Sequence, residues 1–303
     1  MNVWLVFALL SPICWGFSNA LDGAVRRHFV KNDYATTWFL GITRLPVLVV
    51  LALFLKDFHV PGAIEVMGML AAGFLWIFPF ILYYRSIEFE ETSLVVILLQ
   101  LLPIFSVLVA YTVLGETLTK LQLIAFMLLF IGGLCASVKS LQGRFHLSKA
   151  LPLMLIASLL WATSDVIYKK YAPAFGDFWN SFFWYLVGGF VFAACFILFQ
   201  KGRRIVVENF SRLSRRGWII FSIDQLIGIT GSLFMAYALN FGKVSLTVVI
   251  MGIQPLVAFA ATFLLRPIIN EIPAEDVGTS SLVKKTVALV FILAGLLLLQ
   301  QNA

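Results

Sequence analysis

The stretch SLVVILLQLLP at residues 93–103 returns as SLTVVIMGIQP at residues 245–255. Ser93, Leu94, Val96 and Pro103 recur as Ser245, Leu246, Val248 and Pro255, each 152 positions on. Two further matches keep the same order. Trp15, Ser18 and Asn19 recur as Trp161, Ser164 and Asp165 at an offset of 146, and Ala125 and Gly132 recur as Ala288 and Gly295 at an offset of 163. The 11 extra positions fall in the last long connector. Half of the chain is thus a variation on the other half.

Hydropathy says what each half contains. Of 303 residues 61% are hydrophobic and 12% charged, with a mean hydropathy of +0.97. Soluble domains carry about 25% charged residues, so the polar residues here are too few to cover a water-soluble globule. Nearly the whole chain consists of apolar runs about 20 residues long, the length that crosses a bilayer core of about 30 Å. Ten such runs are expected, at 3–23, 36–56, 66–86, 92–113, 120–138, 150–171, 178–199, 217–240, 244–265 and 284–300. Each must be helical, because lipid offers no partner to an unpaired backbone group. The fold class expected is an all-α integral membrane protein. The opening MNVWLVFALLSPICWGF has no Lys or Arg before Arg26, unlike a secretory signal, and is taken as the first span. Cys14, Cys135 and Cys195 all fall in apolar runs and suggest no disulfide framework. The net charge of +7 lies mainly in connectors, where it serves orientation and contact with membrane lipids rather than nucleic acid.

Five is an odd number, so the second half starts from the opposite face of the membrane. The expected architecture is two inverted five-helix repeats, residues 1–143 and 144–303. Inverted repeats are common in secondary transporters, where one half rocks against the other around a central site. Most of the 22 Lys and Arg follow odd-numbered spans, whereas Lys56, Lys120, Lys169, Lys170 and Lys243 follow even-numbered ones. The positive-inside rule then places the odd connectors in the cytoplasm and both termini outside.

A proline inside a helix removes one backbone hydrogen bond and crowds the carbonyl four residues back. Pro103 and Pro255 lie near mid-span, with Gln100 and Gln254 close by. Pro79, together with Gly228 and Gly231, suggests similar irregular backbone, and these five positions are the candidate hinges. Asp165 is costly in the bilayer, by about 2.5–3.5 kcal/mol on insertion scales, and is by default a functional residue. It is the first choice for a substrate amine or a coupling proton, although Lys169 stands at i+4 and could pair with it. Asp224 is a second intramembrane carboxylate. Arg44 lies roughly 12 Å into span two, either reaching the headgroups or meeting a carboxylate inside the bundle. Trp15 and Trp161 lie near mid-span, where an interfacial anchor is not needed, and could wall a cavity for a flat or cationic solute. The candidate substrate-binding set is Trp15, Ser18, Asn19, Gln100, Trp161, Ser164, Asp165, Tyr168, Asp224 and Gln254.

No metal site, cofactor or enzyme activity is expected. His28, His59 and His146 are far apart, and no HExxH, GxSxG, phosphate-loop or CxxC pattern occurs. Transport by this chain would be facilitated, exchanged or ion-coupled rather than driven by nucleotide hydrolysis.

The pair Trp15-Gly16, Arg44 early in span two, the turn Leu114-Gly115-Glu116-Thr117-Leu118, and Gly132-Gly133 after it make the chain resemble the drug/metabolite transporter superfamily, EamA type. The resemblance spans the chain. It implies a solute cavity between the halves, lined by spans one to four and six to nine, with five and ten peripheral. It also implies cytoplasmic termini, against the charge bias. The second half departs from the pattern with Arg266-Pro267 in place of the Gly-Glu turn and an acidic connector carrying Glu271, Glu275 and Asp276. The function expected is a monomeric secondary transporter in a plasma membrane, the bacterial inner membrane foremost. Its substrate would be a small organic metabolite such as an amino acid, nucleobase, amine or similar amphiphile. The alternative is a lipid-handling or structural membrane protein without a solute cavity.

Overall fold

The structure is a computed structural model that describes residues 3–55, 58–114, 120–141, 144–211, 213–241, 247 and 250–300. The Gly115–Leu118 part of the Gly-Glu turn, Ser245, Leu246 and Val248 lie outside the described residues.

Helices occupy all ten expected positions, and the spans carrying Pro46, Pro79, Pro103 and Pro255 are broken, whereas Pro12 sits inside a continuous first helix. Span one is α1 (Val3–Ala24), prolonged by a π turn at Val25–Phe29. Span two is α2 (Asp33–Ile42) and α3 (Arg44–Phe54), span three is α4 (Ala63–Ile77) and α5 (Phe80–Ser86), and span four is α6 (Thr92–Leu99) and α7 (Leu102–Leu114). Span five is α8 (Lys120–Ser137), six α9 (Ala150–Tyr171), seven α10 (Phe178–Leu198) and eight α12 (Arg215–Phe241). Span nine ends in α13 (Gln254–Leu265), preceded by a 3-10 turn at Met251–Ile253, and span ten is α14 (Thr279–Gln300).

Each break has a chemical cause. Pro79, Pro103 and Pro255 cannot donate to the carbonyl four residues back, and the chain tightens to three-back bonds just before Pro103 and Pro255 and just after Pro79, where Ile81 and Leu82 donate to Phe78 and Pro79. At span four the amides of Gln100 and Leu101 turn to Ile97 and Leu98, three residues back. Span two breaks at Thr43 because Pro46 follows, a proline the sequence reading passed over; Thr43 Oγ1 caps the loose end on the carbonyls of Phe39 (3.0 Å) and Leu40 (3.1 Å). The expectation of irregular backbone at Gly228 and Gly231 needs correction, since α12 runs unbroken through both. Gly231 serves close approach instead: a Cβ there would lie 2.5 Å from Trp15 Cδ1, whereas one on Gly228 would meet only Ser18 Oγ at 3.4 Å.

Two elements were not expected. Residues 200–210, read as loop, form the helix α11 (Gln200–Phe210), anchored by Phe210 against Phe39 and Trp218 at ring distances of 5.1 and 5.5 Å. Between spans five and six a short hairpin pairs β1 (Val138–Leu141) with β2 (Arg144–Leu147).

The inverted repeat is written into the contacts. Span one packs on span eight, and span six on span three. Trp15 Nε1 donates to the Gly228 carbonyl at 3.1 Å, and its repeat mate Trp161 donates to the Trp76 carbonyl at 2.9 Å. Gly228 lies 152 positions after Trp76. Ser164 Oγ donates to the Ala72 carbonyl (2.8 Å), while Ser18 Oγ donates to Asp224 (2.6 Å), again 152 positions on from Ala72. Spans five and ten cross reciprocally: a Cβ on Gly132 would meet Ile292 and the Ala288 carbonyl, and one on Gly295 would meet the Ala125 carbonyl. The small residues that recur between the halves are those that let this pair touch.

Candidate functional site

The broken spans surround a cavity of about 110 Å³, several times the roughly 10–15 Å³ that one water requires. Among the described residues its lining comes from spans one to four, six, eight and nine, and none from five or ten. Most of the lining side chains are buried, so the cavity lies inside the bundle rather than on its lipid face.

Trp15, Ser18, Asn19, Gln100, Trp161, Asp165 and Gln254 line it. Three others of the expected set stand back from it. Ser164 is turned toward the Ala72 carbonyl. Tyr168 lies against Ser181 Oγ (3.4 Å) beside a small second cavity. Asp224 is fully buried behind Ser18. The walls also include residues the site reading left out: Asp22, Trp76, Phe80, Tyr83, Tyr84, Gln225 and Met235. The aromatic wall is continuous, with Trp76 5.4 Å from Trp15 and 6.4 Å from Trp161, and Phe80 5.1 Å from Trp161.

The two halves treat one pair of repeat mates differently. Asn19 donates to Tyr83 Oη (2.8 Å) and accepts from Gln254 Nε2 (2.8 Å). The positions 152 away from Tyr83 and Gln254 are Met235 and Leu102, both cavity-lining and neither able to donate. At these two positions Asp165, the mate of Asn19, finds apolar side chains where Asn19 meets two polar ones, and it shares the small second cavity with Tyr168, Tyr185 and Ser232. Among the described residues it makes no hydrogen bond and no ion pair, at 6% exposure. The expected pairing with Lys169 is not formed; Lys169 Nζ reaches the Leu239 carbonyl at 2.6 Å instead.

Arg44 does not extend to the headgroups. It is 3% exposed and lines the cavity, and its Nε and Nη1 have no hydrogen-bond partner among the described residues. Its stem fits because position 189 is glycine: a Cβ there would lie 2.7 Å from Arg44 Cδ. The break at Thr43, forced by Pro46, sets Arg44 at the start of α3.

One end of the bundle is laced by ion pairs, in or beside the connectors that follow odd-numbered spans. Arg26 pairs with Asp33 and Glu88. Lys285 joins Glu91 (2.6 Å) to Glu275 (2.7 Å), and Arg216 meets Glu271 (3.0 Å). Ser93 Oγ donates to Glu275 at 2.5 Å, so the acidic connector before span ten is tied to the start of span four. Burial pushes the Glu91 carboxyl up from the usual carboxylate range, beyond what Lys285 restores. Burial acts the same way on Glu275, but hydrogen bonds with Glu91, Lys285 and Ser93 outweigh it and hold that carboxyl below the usual range.

The model of the EamA-like transporter family matches residues 2–138 and 148–271. No curated protein matches the chain. A solved crystal structure of another protein superposes with a TM-score of 0.63 at 16% identity, covering 100% of this chain and 98% of that one. At that identity the likeness shows the fold alone.

Proposed function

The chain belongs to the EamA-like transporter family, a family of membrane transporters of small solutes, and from that premise we propose that it moves a small organic solute bearing an amine, alone or together with a carboxylate, through the central cavity by alternating access. Asp165 carries this reading. A carboxylate in a membrane interior is kept only where something compensates it, and its repeat mate shows that a neutral, fully bonded side chain fits the same place. A substrate ammonium supplies the missing partner. Arg44, with its unpartnered nitrogens, supplies a second anchor, for a carboxylate or another acceptor on the solute. The aromatic wall of Trp15, Trp76 and Trp161 covers the body of the solute and favours a cationic head.

The breaks at Pro79, Pro103 and Pro255 are the flexible points on which the halves rock, and Gly231 against Trp15 is the close contact across which they slide. The interior position of the cavity favours a solute over the lipid-handling alternative, which calls for a groove open to the bilayer. The protein acts as a monomer in a plasma membrane, foremost the bacterial inner membrane.

The test is thermal unfolding of the purified protein against a panel of amines, amino acids, nucleobases and lipids. A ligand at a hundredfold excess over its Kd stabilises the folded state by about 2.7 kcal/mol. Stabilisation by one amine-bearing class, lost in Asp165→Asn, is the expected result. Stabilisation by lipids alone, or an amine effect undiminished in Asp165→Asn, refutes the proposal.

A further inference from the structure

A pair of carboxylates, Asp22 in the cavity wall and Asp224 behind Ser18, is put to no use by the substrate reading. Asp22 comes from span one and Asp224 from span eight, so the pair joins the two halves. Asp22 is 3% exposed and Asp224 0%. Ser18, one turn before Asp22 on span one, donates to Asp224 at 2.6 Å across the packed pair of spans one and eight, so the two carboxylates come from facing turns.

Every other neighbour is neutral. Tyr84 Oη donates to Asp22 Oδ1 at 2.8 Å and Tyr83 Oη to Oδ2 at 3.0 Å. Ser18 Oγ donates to Asp224 Oδ1 at 2.6 Å and Gln225 Nε2 to Oδ2 at 3.2 Å. Asn19 faces the pair through Tyr83. Among the described residues no Lys, Arg or His pairs with either carboxylate. Arg26, one turn along span one, is held by Asp33 and Glu88.

Two ionised carboxylates cannot share such a place, because each opposes the charge of the other and neither has a cation. One proton between them removes the conflict: it turns one oxygen into a donor and the other into its acceptor, leaving a single negative charge for the four neutral donors. The two groups then bind and release protons as a unit.

We propose that Asp22 and Asp224 form a shared-proton site whose occupancy holds spans one and eight together at the ion-paired end of the cavity, so that proton release opens this end. On binding, one proton from water joins the two carboxylates as O–H···O⁻; on release it returns to water and the two anions repel. The site belongs to one half-interface only. The positions that correspond by the repeat are Tyr168, 146 after Asp22, and Ala72, 152 before Asp224, and neither carries an acid. Protonation thus acts on one end of the pathway and not on the other, as coupling requires. The inference rests on the transport reading for its meaning, but its test uses no substrate and fails or succeeds independently.

The experiment is an infrared pH titration of the full-length protein in lipid, following the carbonyl stretch of protonated carboxyl groups. The wild type is expected to show a band worth one proton per chain that is lost as pH is raised. Asp22→Asn and Asp224→Asn should each remove it, and Asp165→Asn should leave it while removing any separate band of its own buried carboxyl. A band that survives in either of the first two variants, or no such band in the wild type, overturns the shared site. The wild-type titration needs no variant to fold. In parallel, spin labels on the exposed His28→Cys and Arg215→Cys positions report the separation of spans one and eight at this end. The distance is expected to widen as pH rises in otherwise wild-type protein and to stay constant with Asp22→Asn; no widening in the former refutes the link to opening.

Discussion

Replacing Arg44 by methionine should make the protein more stable and abolish its transport. Arg44 is 3% exposed, and its Nε and Nη1 are unpartnered among the described residues. A buried unsatisfied donor costs about 1–3 kcal/mol, so two cost roughly 2–6 kcal/mol. Insertion scales price an arginine at a helix centre at about 2.5–3.5 kcal/mol. The two ranges overlap near 3 kcal/mol, and that is the stabilisation expected. Methionine keeps an unbranched stem against the Gly189 notch and has nearly the helix propensity of arginine, so little packing is lost. Unfolding in mixed micelles measures the stability, and solute flux in proteoliposomes measures the activity. A residue that stabilises when removed and disables when removed is retained for function. Should Arg44→Met destabilise the protein by a comparable amount, the guanidinium is a structural partner and its assignment as a substrate anchor is wrong. Retained flux refutes it equally.

Three further outcomes follow from the same contacts. Gly73→Ala should destabilise by about 1–3 kcal/mol or more, because its Cβ would lie 1.9 Å from the Tyr185 carbonyl and force spans three and seven apart. Gly228→Ala should be tolerated and gain up to about 1 kcal/mol of helix propensity, since its nearest neighbour is Ser18 Oγ at 3.4 Å; unfolding of the two variants side by side checks both. Glu275→Gln should release the connector before span ten, seen as faster proteolysis or hydrogen exchange there, because Lys285 and Ser93 lose their shared partner. The pH dependence has a fixed sign. The Glu275 carboxyl is held below its usual value of 4.5 in the folded state, so its contribution is fully present above that value and lost as pH falls through the folded one. The Gln variant should lack that part of the acid loss.

Much of the architecture was legible in the chain because hydrophobic length and repeated small residues are local signals. Runs of about 20 apolar residues are spans, and the recurrence of Trp15 as Trp161 and of Gly132 as Gly295 marks contacts that the inverted halves make twice. Prolines 79, 103 and 255 marked breaks because each removes a backbone donor, although Pro12 is accommodated inside an unbroken helix. Pro46 carried the same signal and was passed over. The misses concern partners distant in sequence. Asp22 carries no local signal of a role, because its hydrogen-bond partners Tyr83 and Tyr84 lie on span three. Lys169 is well placed on the helix surface for Asp165, but a carbonyl on span eight captures it. Gly228 and Gly231 read as weak points in a helix, whereas α12 runs unbroken through both and Trp15 of another span occupies the room that Gly231 leaves. α11 lacked a long apolar run, and its anchor Phe210 finds an aromatic cluster that no local pattern foretells.

Alternating access through the central cavity is tested most directly by labelling a cysteine placed inside it. Ser232 lines the cavity, is buried, and bonds only along its own helix, to the Gly228 carbonyl at 3.0 Å. With Cys14, Cys135 and Cys195 replaced, Ser232→Cys in oriented proteoliposomes can be exposed to a membrane-impermeant thiol reagent from one face or the other. The account predicts labelling from both faces, with a solute that binds the cavity slowing one rate as it speeds the other. Labelling from a single face under all conditions, or only by lipid-soluble reagents, would contradict it.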